Sequence, residues 1–242
     1  MDKIAIISDI HGNMPALDAV MSDINKRNIK RIFCLGDIVG KGPSTYEALE
    51  KIRECCEVVV KGNWEYLISN EQFNQDFINW LRNKLTQEQL KYIKELPMYY
   101  DLYMSGRLVR LCHAAPFSVF HRVHSFACID EKLELFRGVN GKECDILGYG
   151  DIHGSYVQYI GYKTIFNCGS VGNPLDIPQA SYAIIEGTEG FMDKSELSIN
   201  LVRIPYDIEK AVSEARKSDM LESEAEFYIN ELRTSKYRGR KD

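Results

Sequence analysis

The chain has 242 residues, 45% of them hydrophobic and 27% charged, with a net charge of -5. That balance excludes a disordered chain and gives no overall attraction to nucleic acid. The apolar runs reach only about 4–6 residues, against the ~20 that a membrane-spanning helix needs, so no membrane partner is expected.

In chain order, residues 1–65 alternate strand and helix. A β-branched run at residues 4–8 precedes Asp9, and Asn13 can cap a helix from 14 to about 25 whose Pro15 sits in the first turn. Leu17, Val20, Met21 and Ile24 give that helix one apolar face. A second strand is predicted over 31–35. Ser44 with Glu47 has capping-box spacing for a helix to about 53, and a third strand follows over 57–61. Successive strand–helix units imply parallel strands with right-handed crossovers.

Residues 65–96 change character, with Phe73, Phe77, Trp80 and Leu81 at helical spacing; Thr86 and Gln89 start another helix that Pro97 stops. These aromatics read as packing residues. The second half is mostly β: strands at 99–104 and 107–113 flank Ser105-Gly106, those at 156–160 and 163–168 flank Gly161-Tyr162, and others lie at 145–149, 181–187 and 196–203. Two helices close the chain at about 208–217 and 221–234. The expected organisation is one domain over 1–205 with a helical insert at about 65–97, a helical extension over 206–235, and a basic, solvated tail over 236–242. With Arg233 just before it, Lys236, Arg238, Arg240 and Lys241 supply the basic charge of this final stretch. The chain opens on Met1-Asp2-Lys3 and a short strand, without a basic leader and long apolar stretch, and its seven cysteines lack zinc-finger spacing. Reduced thiols and a cytoplasmic location are expected.

Five short segments end at one place if these strands share a sheet: Asp9-Ile10-His11, Gly36-Asp37, Gly62-Asn63, His113 and Gly150-Asp151-Ile152-His153. The first three each follow a buried strand, and open α/β sheets deliver side chains to a crevice at the strands' carboxyl ends. In Asp9-x-His11 the two side chains leave the strand on the same side and can share a cation. Asp37 offers two oxygens that can bridge two cations, Asn63 a neutral carbonyl oxygen, and His113 and His153 nitrogens. This mixed oxygen and nitrogen set suits Mn, Fe or Zn. Two such cations clamp a phosphate and acidify a water between them, so hydrolysis needs no protein nucleophile. The Asn63 amide and the backbone near Gly62 are placed to hold a phosphoryl oxygen. Taken singly, Asp9 and Asp37 read as strand-end caps, and His121 and His124 as residues of a polar loop. The weight lies in the ordered combination.

That order resembles the calcineurin-like metallophosphoesterases, whose pattern is D-x-H, G-D, G-N-H-(D/E), H, G-H-x-H. It is most similar to their small bacterial and archaeal phosphodiesterase branch, which carries a late N-P-G-S-V-G-x-P segment. Here that segment reads Asn167-Cys168-Gly169-Ser170-Val171-Gly172-Asn173-Pro174. The stretch ending Glu95-Leu96-Pro97 resembles relatives that are diadenosine-tetraphosphate hydrolases or protein-phosphatase-like enzymes. The match spans roughly residues 3–187. It implies an α/β fold, the four-layer αββα sandwich, with a dinuclear centre of two divalent ions, Mn first and Fe or Zn as alternatives. By resemblance Asp9, His11 and His153 hold the first ion, Asp37 bridges, and Asn63 and His113 hold the second.

Three positions depart from the pattern. Asp151 stands where the family has a histidine on the second ion; it can still ligate, with added negative charge. Trp64 replaces a histidine that protonates the leaving group, and Leu175 stands where the branch often has an arginine. Trp64, with Gly62 and Asn63, is expected to meet substrate, and Glu65 to buttress the loop or hold His11. A missing proton donor favours good leaving groups. The expected activity is therefore hydrolysis of a phosphodiester or dinucleoside polyphosphate, with Asp37 and Asn63 in catalytic roles. A phosphomonoesterase or protein phosphatase is the alternative, and a non-catalytic scaffold of the same fold a third. Small phosphate esters or nucleotides are the expected partners.

Overall fold

A computed structural model describes residues 1–138 and 141–239. The elements, in chain order, are β1 (Asp2–Ile7), α1 (Met14–Lys26), β2 (Arg31–Cys34), α2 (Thr45–Cys55), β3 (Val58–Val59), α3 (Asn63–Ser69), α4 (Asp76–Asn83), α5 (Gln87–Glu95), β4 (Tyr99–Met104) and β5 (Arg107–Cys112). There follow α6 (Ile129–Glu134), β6 (Ile146–Tyr149), β7 (Tyr156–Ile160), β8 (Lys163–Asn167), β9 (Ala180–Gly187), β10 (Ser198–Ile204), α7 (Ile208–Lys217) and α8 (Glu222–Thr234).

Among the described residues ten strands form two five-stranded mixed sheets, ordered β10-β9-β1-β2-β3 and β4-β5-β6-β8-β7. The strands β1, β2 and β3 are parallel as predicted, and β9 closes antiparallel on β1. Alternation along β1 builds the layers. Ile4 and Ile6 point between the sheets, where they meet Phe33, Val109, Leu111 and Phe166. Ala5 and Ile7 point the other way, onto Leu17, Val20 and Ile24 of α1 and Leu49 and Ile52 of α2. The outer face of the second sheet is covered by Leu135 and Phe136, which follow α6. The result is the four-layer αββα sandwich, with a thin fourth layer.

Asn13 caps α1 through Ala16 N–H (3.1 Å), and Thr86 with Gln89, expected to start a helix, does so through a capping box. Ser44 stands at the N-cap of α2, but its side chain makes no capping bond, so that predicted box is absent. The insert begins at Asn63, two residues earlier than expected, and runs as three short helices. Phe77 and Trp80 stack at 5.5 Å and pack against both the main core and the α7–α8 cluster, in the packing role predicted for them. The expected basic tail is anchored over its described part. Arg233 pairs with Glu209 (2.7 Å), Arg238 lies over the Phe227 ring, and the Arg238 N–H donates to Glu231. Arg240 and Lys241 lie outside the described residues. The seven cysteines are unpaired, four of them buried. Among the described residues no helix is long and apolar enough to cross a membrane.

Candidate metal centre

The loops leaving β1, β2, β5 and β6 and the start of α3 meet at one end of the sandwich. Five of their polar residues adopt the left-handed backbone region: Asp9 (φ 55°), His11 (49°), Asp37 (52°), Asp151 (62°) and His153 (59°). Few non-glycine residues occupy that region, and such outliers cluster where geometry is held for function. Gly36, at φ 93°, lets the β2 loop press against Gly62; a side chain there would strike the Gly62 backbone.

Two groups of potential ligands result, Asp9–His11–His153 and Asp9–Asp37–His113. In each group the donor atoms lie within 4.8 Å of one another. The three imidazoles are oriented alike. His113 Nδ1–H donates to the Leu35 carbonyl (2.8 Å), His11 Nδ1–H to that of Val39 (3.2 Å), and His153 Nδ1–H to that of Asn173. A carbonyl only accepts, so each Nδ1 carries its hydrogen and each Nε2 faces inward. This is the orientation that metal-ligating histidines adopt. The Nε2 atoms of His11 and His153 stand 3.2 Å apart, and His153 Nε2 is 3.1 Å from Asp9 Oδ1. Asp9 Oδ1 is buried and has no hydrogen-bond partner. Converging lone pairs and carboxylate oxygens are what a cation would satisfy, so the donor set fits a dinuclear centre.

The electrostatics carry the same tension. Burial opposes ionisation of Asp9, yet the neighbouring His153, His113 and His11 hold its carboxyl well below the usual range. Burial, with the charges of His153 and Lys41, drives His11 far below an ordinary imidazole. Burial raises Asp37 against the pull of His113, and the adjacent Asp9 raises it further. Burial works against a charged His113, but Asp37, Asp9 and Asp151 push its pKa well up. The Asn63 amide lies 2.9 Å from His113 Nε2, 3.1 Å from Asp37 Oδ2 and 3.3 Å from Asp151 Oδ1. The two carboxylates favour its nitrogen facing in, whereas a protonated His113 Nε2–H, like a cation, selects the oxygen.

A scaffold of backbone and buried polar groups holds the ring of ligands. Glu65 is fully buried and accepts N–H bonds from Asp37 (2.7 Å), Ile38 (2.8 Å), Val39 (3.2 Å) and Gly62 (2.8 Å). Burial and the charge of Asp37 push its pKa up to about 7. Of the two roles expected for Glu65, buttressing is the one its contacts match. The Gly62 N–H is thereby committed to Glu65, which removes it as the donor to substrate that the sequence suggested. The Trp64 N–H donates to Asp37 Oδ1 (2.9 Å). The Asn167–Pro174 segment grips Asp9 from behind: Ser170 Oγ donates to the Asp9 carbonyl (2.8 Å) and Gly172 N–H donates to it also (2.9 Å).

A cleft of about 350 Å³ opens onto this centre, lined in part by Asp37, Asn63, Trp64, Asp151, His153 and Leu175. Among its other lining residues, Lys41, Arg122 and Tyr237 have no place in the site as read from sequence. Arg122 holds Asp151 bidentately, Nε to Oδ2 at 2.8 Å and Nη2 to Oδ1 at 2.7 Å. Lys41 donates to Asn173 Oδ1 (2.6 Å) and Glu231 Oε2 (2.9 Å). His124 reaches the cleft wall, whereas His121 packs on Phe117, and neither belongs to the two ligand groups.

Two stacked mixed sheets with carboxylates and imidazoles gathered at their strand ends define a metallophosphoesterase fold. The chain belongs to the calcineurin-like phosphoesterase superfamily, whose domain matches residues 2–190. An uncharacterized protein of Methanocaldococcus jannaschii is 34% identical over 239 residues, covering 90% of this chain and 94% of its own. A hypothetical protein of Pyrococcus horikoshii OT3 superposes with a TM-score of 0.79 at 19% identity, over 100% of both chains. A metallophosphoesterase from Sphaerobacter thermophilus superposes with a TM-score of 0.75 at 23% identity, over 97% of this chain and 99% of its own. At those identities the two structures speak to the fold.

Proposed function

We propose that this protein is a dinuclear-metal-dependent hydrolase of phosphodiesters or dinucleoside polyphosphates. The observation that carries the reading is the shared orientation of His11, His113 and His153, each Nδ1–H tied to a backbone carbonyl and each Nε2 turned toward Asp9 or Asp37. Asp9, His11 and His153 would hold one ion; Asp37, His113 and Asn63 the other, with Asp37 bridging and Asp9 also within reach of the second group. Two divalent ions there, Mn first and Fe or Zn as alternatives, supply Lewis acidity and water activation. Asn63, whose amide faces the cleft, orients a phosphoryl oxygen. Trp64 closes one wall and offers no proton, so turnover rests on leaving groups that depart unaided. The substrate is a small phosphate ester that enters the cleft, and unpaired thiols support a cytoplasmic setting.

The test is a parallel assay, with added Mn, of bis-p-nitrophenyl phosphate, p-nitrophenyl phosphate and diadenosine tetraphosphate. Diester or anhydride turnover above monoester turnover is the expected result. Monoester preference would move the protein to the phosphomonoesterases. Silence on all three, with no ion found by elemental analysis, would leave a scaffold.

A further inference from the structure

Asp151 is 4% exposed; its N–H donates to buried Asp9 Oδ2 (3.1 Å), its Oδ1 lies 3.7 Å from His113 Nε2, and it shares the Asn63 amide with buried Asp37. An isolated carboxylate there would be costly. Arg122 meets it with a fork of two bonds, the geometry in which a guanidinium binds a carboxylate most strongly. The pair is neutral as a unit. It brings the net charge of this corner back to that of an uncharged ligand, which a lone Asp151 would not.

Two of the five guanidinium N–H groups of Arg122 are spent on Asp151. Its side chain is half-exposed and lines the same cleft as Asp37 and Asn63. The loop carrying it is pinned: Val123 is buried, and its carbonyl accepts from the Tyr149 hydroxyl at 2.7 Å. Lys41, the other fixed cation on the cleft wall, is tied to Glu231 and Asn173. Leu175 brings no charge. Arg122 is thus the cation best placed to meet an anionic oxygen entering beside the Asp37–His113 group.

We propose that Arg122 anchors the substrate phosphate through its cleft-facing N–H groups, and that Asp151 is the residue that positions Arg122 and not a metal ligand. This rests on the phosphoesterase reading for the identity of the substrate, but not for the binding of phosphate itself. A planar fork held at one edge presents the other edge in fixed orientation, which suits two oxygens of one phosphate group. The ligand class is a phosphate with at least two unesterified oxygens facing the cleft, as in a diester or an anhydride.

The test compares wild type with Arg122→Gln, Asp151→Asn and the double variant, which keeps a neutral amide pair if the single Arg122 variant folds poorly. Calorimetry measures Mn binding, and then inorganic phosphate binding with and without Mn. Kinetics on bis-p-nitrophenyl phosphate separate KM from kcat. All three variants should bind phosphate at least about tenfold more weakly and lose more in KM than in kcat. Asp151→Asn should keep the wild-type number of Mn equivalents. Loss of one Mn equivalent in Asp151→Asn, unchanged phosphate affinity in the folded Arg122 variants, or no phosphate binding by wild type overturns the proposal. If phosphate binding depends on Arg122 while wild type turns over no ester, the hydrolase reading fails and this one stands.

Discussion

The two candidate cation groups share Asp9 but are held differently. Around His11 and His153 the supports are backbone atoms: the Val39 and Asn173 carbonyls orient the rings, and Ser170 and Gly172 clamp the main chain of Asp9. Around Asp37 and His113 the Leu35 carbonyl and the Trp64 N–H also hold the ligands, but side chains crowd in beside them: Asn63, Asp151, Arg122 and the Trp64 wall. The first group is therefore written into the loop geometry of the fold. The second is more open to change one residue at a time, and the three departures from the family pattern all line the cleft that both groups share.

The sharpest break of this comparison is at the shared residue. Asp9→Ala should remove both ions and lower kcat by more than about 10³-fold, because several kcal/mol of charge stabilisation disappears. Asp37→Ala should abolish turnover as fully, remove the ion at His113 and weaken the ion at His11 and His153, which loses its bridge but keeps Asp9 and both imidazoles, with an unaltered circular dichroism spectrum. Elemental analysis of both variants decides. Equal metal loss in the two would mean that the groups are not separable. Glu65→Gln comes next. It places a donor among four backbone N–H groups, so the β2 loop should loosen, with a stability loss of about 2 kcal/mol in urea unfolding. Ser170→Ala tests the backbone clamp. Losing the bond to the Asp9 carbonyl should weaken Mn binding about 10-fold, the scale of an outer support, without changing substrate preference.

The same contrast explains what the sequence reveals. Asp9, His11, Asp37 and Asn63 are legible because each follows a short apolar strand, and parallel strands bring their ends together. The strand pairs around Ser105-Gly106 and Gly161-Tyr162 are legible from turn chemistry. Arg122 is not, since a lone arginine in a loop without periodicity carries no address. A charge argument would have found a reason to look: an acid in place of a neutral ligand, buried among acids, calls for a cation nearby. Tyr237 and Glu231 reach the site only because α8 folds back along α7, a tertiary event with no local signature. The helix α6 is missed for its length, six residues being too few to show a helical period. The Ser44 cap fails because matching spacing does not guarantee that the hydroxyl turns toward the helix.

The smallest effect sharpens the comparison most. Trp64 lies at the mouth of the cleft, edge-on to His11 at 6.3 Å and to Phe77 at 5.9 Å, with Gly40 close beneath its indole. Trp64→His puts a titratable group at that mouth without touching the ring of candidate ligands. An imidazole there can donate a proton to a poor leaving group, a contribution of about 10²–10⁴-fold where positioning is ideal. The Trp64 backbone N–H to Asp37 is retained, but the packing on Phe77 is lost and the imidazole enters a pocket shaped for indole. We therefore expect only about a tenfold rise in p-nitrophenyl phosphate turnover relative to bis-p-nitrophenyl phosphate, with Mn stoichiometry unchanged. No change in that ratio would mean that the missing acid does not set the preference, and that the anchoring of phosphate at the cleft wall does.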